Sequence, residues 1–205
     1  MIIDDLKLRS IAKVVINDLA KEFQGNHVFF FHNESDIQCR LFRRLTQKKV
    51  DTELVHAEYG MYWDNRTKSK RRGYFDIAVW HPDKKDAAIQ LWGKSAREFS
   101  RQMADIVSVA IEIDYFYGSA TEKRRKFQTI TELKKNRDIQ KLIEVARSKA
   151  DSYLMIFWDH DVNDDKDASA SCLKIHQTLR RLYQQYAVKS ILVSRDHVLK
   201  KCGFR

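Results

Sequence analysis

Two stretches of this chain place carboxylates where the interior of a sheet would be. Residues 74–80 read Tyr-Phe-Asp-Ile-Ala-Val-Trp. Alternate side chains of a strand share a face, so Phe75, Ile77 and Val79 point one way and Asp76 and Ala78 the other. Residues 106–116 repeat the pattern, with Val107, Val109, Ile111 and Ile113 opposite Ser108, Ala110, Glu112 and Asp114. An unpaired charge buried in a sheet costs several kcal/mol, so these acids need partners. A salt-bridge network with lysines or arginines would serve, and so would a metal ion. If the two strands are neighbours, Asp76 and Glu112 lie roughly 5 Å apart across the ladder. Both can then reach one ion whose Mg–O bonds are about 2.0–2.1 Å.

Basic residues supply the second kind of chemistry. The clusters 68–72, 123–126 and 134–137 are rich in lysine and arginine. They suit either the phosphate contacts that dominate nucleic-acid affinity or an ordinary solvated face. Arg71, Arg72, Lys123, Arg124 and Arg125 are the candidate contacts. Tyr59, Tyr62 and Trp63 beside the first cluster could stack on bases, although packing is the commoner role of such aromatics. The run Asp159-His160-Asp161 with Asp164, Asp165 and Asp167 lacks the glycine and terminal glutamate of an EF-hand and reads as a solvated loop. No histidine stands at HExxH spacing, and Cys39, Cys172 and Cys202 form neither a disulfide framework nor a zinc motif.

The elements that must position these residues follow from periodicity. Leu8, Ile11, Val15, Leu19 and Phe23 form one stripe of an amphipathic helix that Gly25 would end. A short extended segment over 27–31 leads into a second helix, with Asn33 to Ser35 as capping residues, Gln38 three after Ser35, and Ile37, Leu41 and Leu45 on its core side. Glu34 and Gln38 lie one turn apart and share another face of that helix. Strands are predicted over 54–59, 74–80 and 106–116, with a helix over 94–103 inserted between the last two. A helix over 130–150, a buried strand over 153–158, a helix over 168–186 and a last strand over 190–193 complete the list. With 6 Gly and 1 Pro, against roughly 14 and 10 from average usage, the chain lacks the turns of a β-sandwich. Its 205 residues, without repeat or linker, predict one α/β domain over 1–205, with an N-terminal helix over 1–25 and a motif-bearing core over 30–160.

Four segments, in order, resemble the PD-(D/E)XK nuclease superfamily. They are 32–38 (His-Asn-Glu-Ser-Asp-Ile-Gln), 73–79 (Gly-Tyr-Phe-Asp-Ile-Ala-Val), 109–115 (Val-Ala-Ile-Glu-Ile-Asp-Tyr) and 137–142 (Arg-Asp-Ile-Gln-Lys-Leu), on helix, strand, strand and helix. The resemblance implies a restriction-endonuclease-like mixed central sheet flanked by helices, here with an extra N-terminal helix. It also implies a catalytic set of Glu34, Asp76, Glu112 and Asp114. Asp76, Glu112 and Asp114 would hold Mg²⁺ or Mn²⁺, Glu34 would hold a water beside the metal, and Asp138 would support the site. The family pattern has lysine two residues after the strand glutamate, and this chain has Asp114 there. Lys94 and Lys141 are candidates to restore the missing charge.

A formal charge of +10 suits a protein that meets phosphate backbones. The expected activity is metal-dependent hydrolysis of phosphodiester bonds, with DNA as the partner and a homodimer as a possible assembly. The alternative is a catalytically inactive nuclease-fold module that binds nucleic acid or assembles with partners. The longest apolar runs fall far short of the roughly 20 residues that span a bilayer, and the N-terminus carries acids where a signal peptide is apolar. The expected location is therefore the cytoplasm, away from membranes.

Overall fold

Phe75, Ile77, Val79, Val109, Ile111 and Ile113 are buried as the alternation predicts, and so are Ala78, Ser108 and Ala110 on the opposite side. The sheet is thus covered on both faces. The computed structural model describes residues 3–25, 33–48, 50–64, 70–91, 105–117, 125–159, 166–194 and 198–202. Its elements in chain order are α1 (Asp5–Gly25), α2 (Glu34–Gln47), β1 (Val55–Asp64), β2 (Lys70–Trp80), α3 (Lys85–Leu91), β3 (Val107–Tyr117), α4 (Ile130–Leu133), α5 (Arg137–Arg147), β4 (Asp151–Asp159), α6 (Lys166–Tyr186), β5 (Lys189–Ser194) and β6 (Val198–Cys202). The result is an α/β fold with a mixed sheet flanked by helices.

The six strands lie in the order in which they occur along the chain. β1, β2 and β3 form an antiparallel meander, β3, β4 and β5 are parallel, and β6 returns antiparallel to β5. The connections β3–α5–β4 and β4–α6–β5 step across the sheet in the same direction. Right-handed crossovers therefore set α5 and α6 on one face, where they touch each other. α1 and α2 pack together on the opposite face. Among the described residues no helix is long and apolar enough to cross a membrane.

The second helix is capped by Asn33, the first of the expected capping residues, whose Oδ1 accepts the Asp36 N–H at 3.0 Å. Gln38 is left to reach the sheet. Local structure departs from the sequence expectation in two places. The helix expected over 130–150 is two helices, because the Asn136 side chain accepts from the Asp138 N–H and starts α5 afresh. The strand β6 was not anticipated, since its two lysines in five residues hide any apolar alternation. The predicted segment 27–31 and the inserted helix 94–103 lie outside the described residues; α3 falls earlier, at Lys85–Leu91.

Candidate functional site

The register of β2 on β3 runs Val79↔Val109, Ala78↔Ala110, Ile77↔Ile111, and Asp76 and Glu112 are the next residues of the two strands. The regular ladder stops at Ile77. Beyond it the Ile113 N–H donates to Asp76 Oδ2 at 2.6 Å, so a side chain takes the place of the next backbone bond. The β1 side shows a matching gap. Ala57 pairs with Ile77 and Tyr59 with Phe75, while Glu58 between them has φ of 50°, a left-handed conformation that few non-glycine residues adopt. Asp76 therefore sits where the regular β2–β3 ladder ends and the β1–β2 ladder skips one pair.

Helix α2 closes this gap. Gln38 Nε2 donates to the Asp76 carbonyl oxygen at 2.8 Å and to Glu58 Oε1 at 3.0 Å. One turn earlier, Glu34 Oε1 accepts the Tyr115 N–H of β3 at 3.2 Å. The shared face of Glu34 and Gln38 is thus the edge of α2 that meets the sheet. Buried Ile37, Leu41 and Leu45 hold the helix there.

From the other face, α5 delivers a lysine. Lys141 Nζ stands 2.7 Å from Glu112 Oε1 and 2.9 Å from Asp138 Oδ1, and it also donates to the Tyr74 carbonyl oxygen. Lys141 is 2% exposed and Glu112 4%, so this is a desolvated ion pair. The ammonium lies 5.4 Å from the Phe75 ring centroid, which adds a cation–π contact. Of the two candidates for the missing cation, Lys141 is therefore the one beside Glu112, while Lys94 lies outside the described residues.

Burial governs the electrostatics. It pushes Asp76 up to about 6; the Ile113 N–H and Lys141 oppose the rise, and Glu58 and Glu34 add to it. Burial also holds Glu112 well above the usual carboxylate range, with Lys141 opposing and Asp76 and Asp138 reinforcing. For Lys141, burial works against the charge, but Glu112 and Asp138 outweigh it and the ammonium is held above its ordinary value.

Asp76 makes stability depend on pH with a definite sign. Folding raises its pKa from near 4 to about 6, so its contribution is fully present below about pH 4 and is lost as the pH rises through about 6. The shift of roughly two units corresponds to about 3 kcal/mol. Urea unfolding of the metal-free chain should therefore show the parent losing stability, relative to Asp76→Asn, between pH 4 and 7. Parallel curves for the two proteins would mean that the Asp76 carboxyl is not held in a desolvated site.

The expected site residues divide as follows. Glu34 and Glu58 act electrostatically on Asp76, and Asp76 and Asp138 act on Glu112, while Gln38 holds the Asp76 backbone and Lys141 pairs with Glu112 and Asp138. Asp114 is half-buried on β3, opposite Ile156 of β4. Among the described residues no three His, Cys, Asp or Glu side chains are grouped to hold an ion, so the expected triad of Asp76, Glu112 and Asp114 is not assembled as a cluster. Arg71 and Arg72 lie in β2, paired with Trp63 and Tyr62, so part of the basic stretch is strand rather than loop. Lys123 and Arg124 lie outside the described residues, and Arg125 is exposed ahead of α4. The chain matches no family model, and its comparison with curated proteins and with solved structures gives no match.

Sequence reasoning missed Gln38 and Glu58 as members of this site. The one-turn spacing of Gln38 from Glu34 was a usable signal, whereas nothing in the sequence marks the left-handed backbone of Glu58. Asp138 and Lys141, three residues apart on a helix, were readable as a pair. That the pair faces Glu112 required the fold.

Proposed function

We propose that the chain is a Mg²⁺- or Mn²⁺-dependent nuclease of the PD-(D/E)XK type, hydrolysing phosphodiester bonds of DNA. The observation that carries this reading is that Asp76 and Glu112, each just past the last regular β2–β3 pair Ile77↔Ile111, act on each other electrostatically, with the Lys141 ammonium 2.7 Å from Glu112. The four segments that resemble the family also lie on α2, β2, β3 and α5, the expected helix, strand, strand and helix.

The donor set suits a hard divalent ion. Asp76 and Glu112 are oxygen donors whose proton affinity is raised chiefly by burial and further by neighbouring carboxylates. Mg²⁺ is ordinarily held by one or two protein carboxylates, with water and substrate phosphate completing its shell, so these two acids suffice without Asp114. Such an ion would neutralise charge on the phosphate and lower the pKa of a water.

The chain's own groups do the rest. Lys141, anchored by Asp138 and the Tyr74 carbonyl, supplies the cation that the strand position of Asp114 lacks and offsets negative charge developing on the phosphate. Gln38 fixes the backbone of Asp76, and Glu34 offers a carboxylate on the α2 side. Arg71, Arg72, Lys123, Arg124 and Arg125 are assigned to the DNA backbone, and a homodimer would suit double-strand cutting.

The same ion pair favours a second reading, in which Lys141 satisfies Glu112 permanently and the fold is a non-catalytic nucleic-acid-binding module. Incubation of supercoiled plasmid with purified protein separates the two. The nuclease nicks it with Mn²⁺ and not with EDTA, and the module leaves it intact in both.

A further inference from the structure

Two basic stretches distant in the chain, 125–137 and the helix α6, meet on one surface of the α5/α6 layer. Thr178 Oγ1 of α6 donates to the Gln128 carbonyl oxygen at 2.8 Å, and Gln128 Nε2 donates to Ser171 Oγ at 3.4 Å. At the end of α4, Lys134 Nζ lies 5.4 Å from the Tyr186 ring centroid of α6. These contacts bind the segment 125–134, with exposed Arg125, Lys126 and Lys134, to the flank of α6, and exposed Arg137 opens the adjoining α5.

α6 buries Cys172, Ile175, Leu179 and Leu182 and turns Lys174, Gln177, Arg180, Arg181 and Gln184 to solvent. From Ala168 to Tyr186 the sequence contains no acidic residue. Among the described residues, Lys174, Arg180 and Arg181 have no carboxylate partner. The solvent face of α6 also carries exposed Leu173 and Tyr183, and its cations and amides, without a counter-charge among the described residues, are complementary to a regular anionic polymer.

We propose that the outer face of α6, continued by the segment 125–137, is the surface that carries the sugar–phosphate backbone of DNA. Lys174 and Arg181 are two turns apart, about 10 Å along the helix, which matches roughly three nucleotide steps of about 3.4 Å along one strand. Gln177 between them and Gln184 just beyond Arg181 present amide donors, and such side chains share phosphate and sugar contacts with arginine and lysine. The surface belongs to the layer that also supplies Asp138 and Lys141. The assignment rests on the nucleic-acid reading above and names a face that the sequence clusters did not include.

The test compares two triple variants with equal loss of charge. Lys174→Ala/Arg180→Ala/Arg181→Ala alters α6. Lys7→Ala/Lys21→Ala/Lys48→Ala alters exposed lysines on the opposite layer. Binding to a short fluorescein-labelled DNA duplex in EDTA is measured over a range of KCl concentrations, with melting curves to confirm that both variants fold. The α6 variant should weaken binding roughly tenfold and flatten the slope of log Kd against log salt by about 2 to 3, from about 0.9 per lost phosphate contact. The opposite-layer variant should retain most of the parental slope.

Equal losses in the two variants would show that net charge alone drives binding and would overturn the proposal. So would an α6 variant that binds DNA as the parent does but no longer binds phosphatidylserine vesicles. A parent that binds DNA through α6 but never cuts it with Mn²⁺ would refute the nuclease reading and leave this surface standing. A parent that cuts, with binding insensitive to the α6 variant, would refute the surface alone.

Discussion

Glu112→Gln should leave the chain folded and lower Mn²⁺-dependent cleavage by roughly 10²- to 10³-fold, the order lost when one group that stabilises transition-state charge is removed. The substitution keeps the size of the side chain and an oxygen for Lys141, whose ammonium retains Asp138 and the Tyr74 carbonyl. What disappears is the negative charge that would hold the ion. Alanine would be a poorer probe, since it also opens a cavity next to a buried ammonium. Single-turnover cleavage of plasmid by the purified variant measures the effect. Parental rates would place the chemistry elsewhere.

Lys141→Met is expected to have the largest effect on stability. It leaves Glu112 buried without its cation, and breaking a buried pair from one side typically costs about 3–5 kcal/mol. Protonation of Glu112 would recover part of this, so the loss should be smallest at low pH. The double variant Glu112→Leu/Lys141→Met removes both charges and should return to near parental stability, because well-packed apolar side chains often replace a buried ion pair without loss. It should nevertheless be inactive. Urea denaturation of the parent, the two single variants and the double variant gives the coupling energy directly. Additive losses would mean that the two groups do not interact across α5 and β3.

The sheet was legible because its strands obey a period of two. Phe75, Ile77 and Val79, and Val109, Ile111 and Ile113, announce both the strands and the side on which Asp76 and Glu112 must stand. The stripes of α1 and α2 were legible for the same kind of reason. Lys141 was a candidate cation from the sequence, but its place beside Glu112 was not legible, because it approaches from a helix across the face of the sheet and helical periodicity alone does not say which strand lies beneath it. The cap at Asn33 lies within the expected capping run, whereas the break at Asn136 turned on a polar side chain competing for free N–H groups inside a helical pattern. The break in the ladders around Asp76 was invisible for a different reason. It depends on the left-handed residue Glu58 in one strand and on Gln38 in a helix, so neither strand declares it alone.

Calorimetric titration of Mn²⁺ into the metal-free protein tests the central claim most directly. The parent should show saturable binding with proton release, because Asp76 and Glu112 hold protons more tightly than ordinary carboxylates and must give them up to an ion. Asp76→Asn/Glu112→Gln should fold and show no such binding. If the parent takes up no Mn²⁺, or the double variant takes it up as the parent does, Asp76 and Glu112 are not a metal centre.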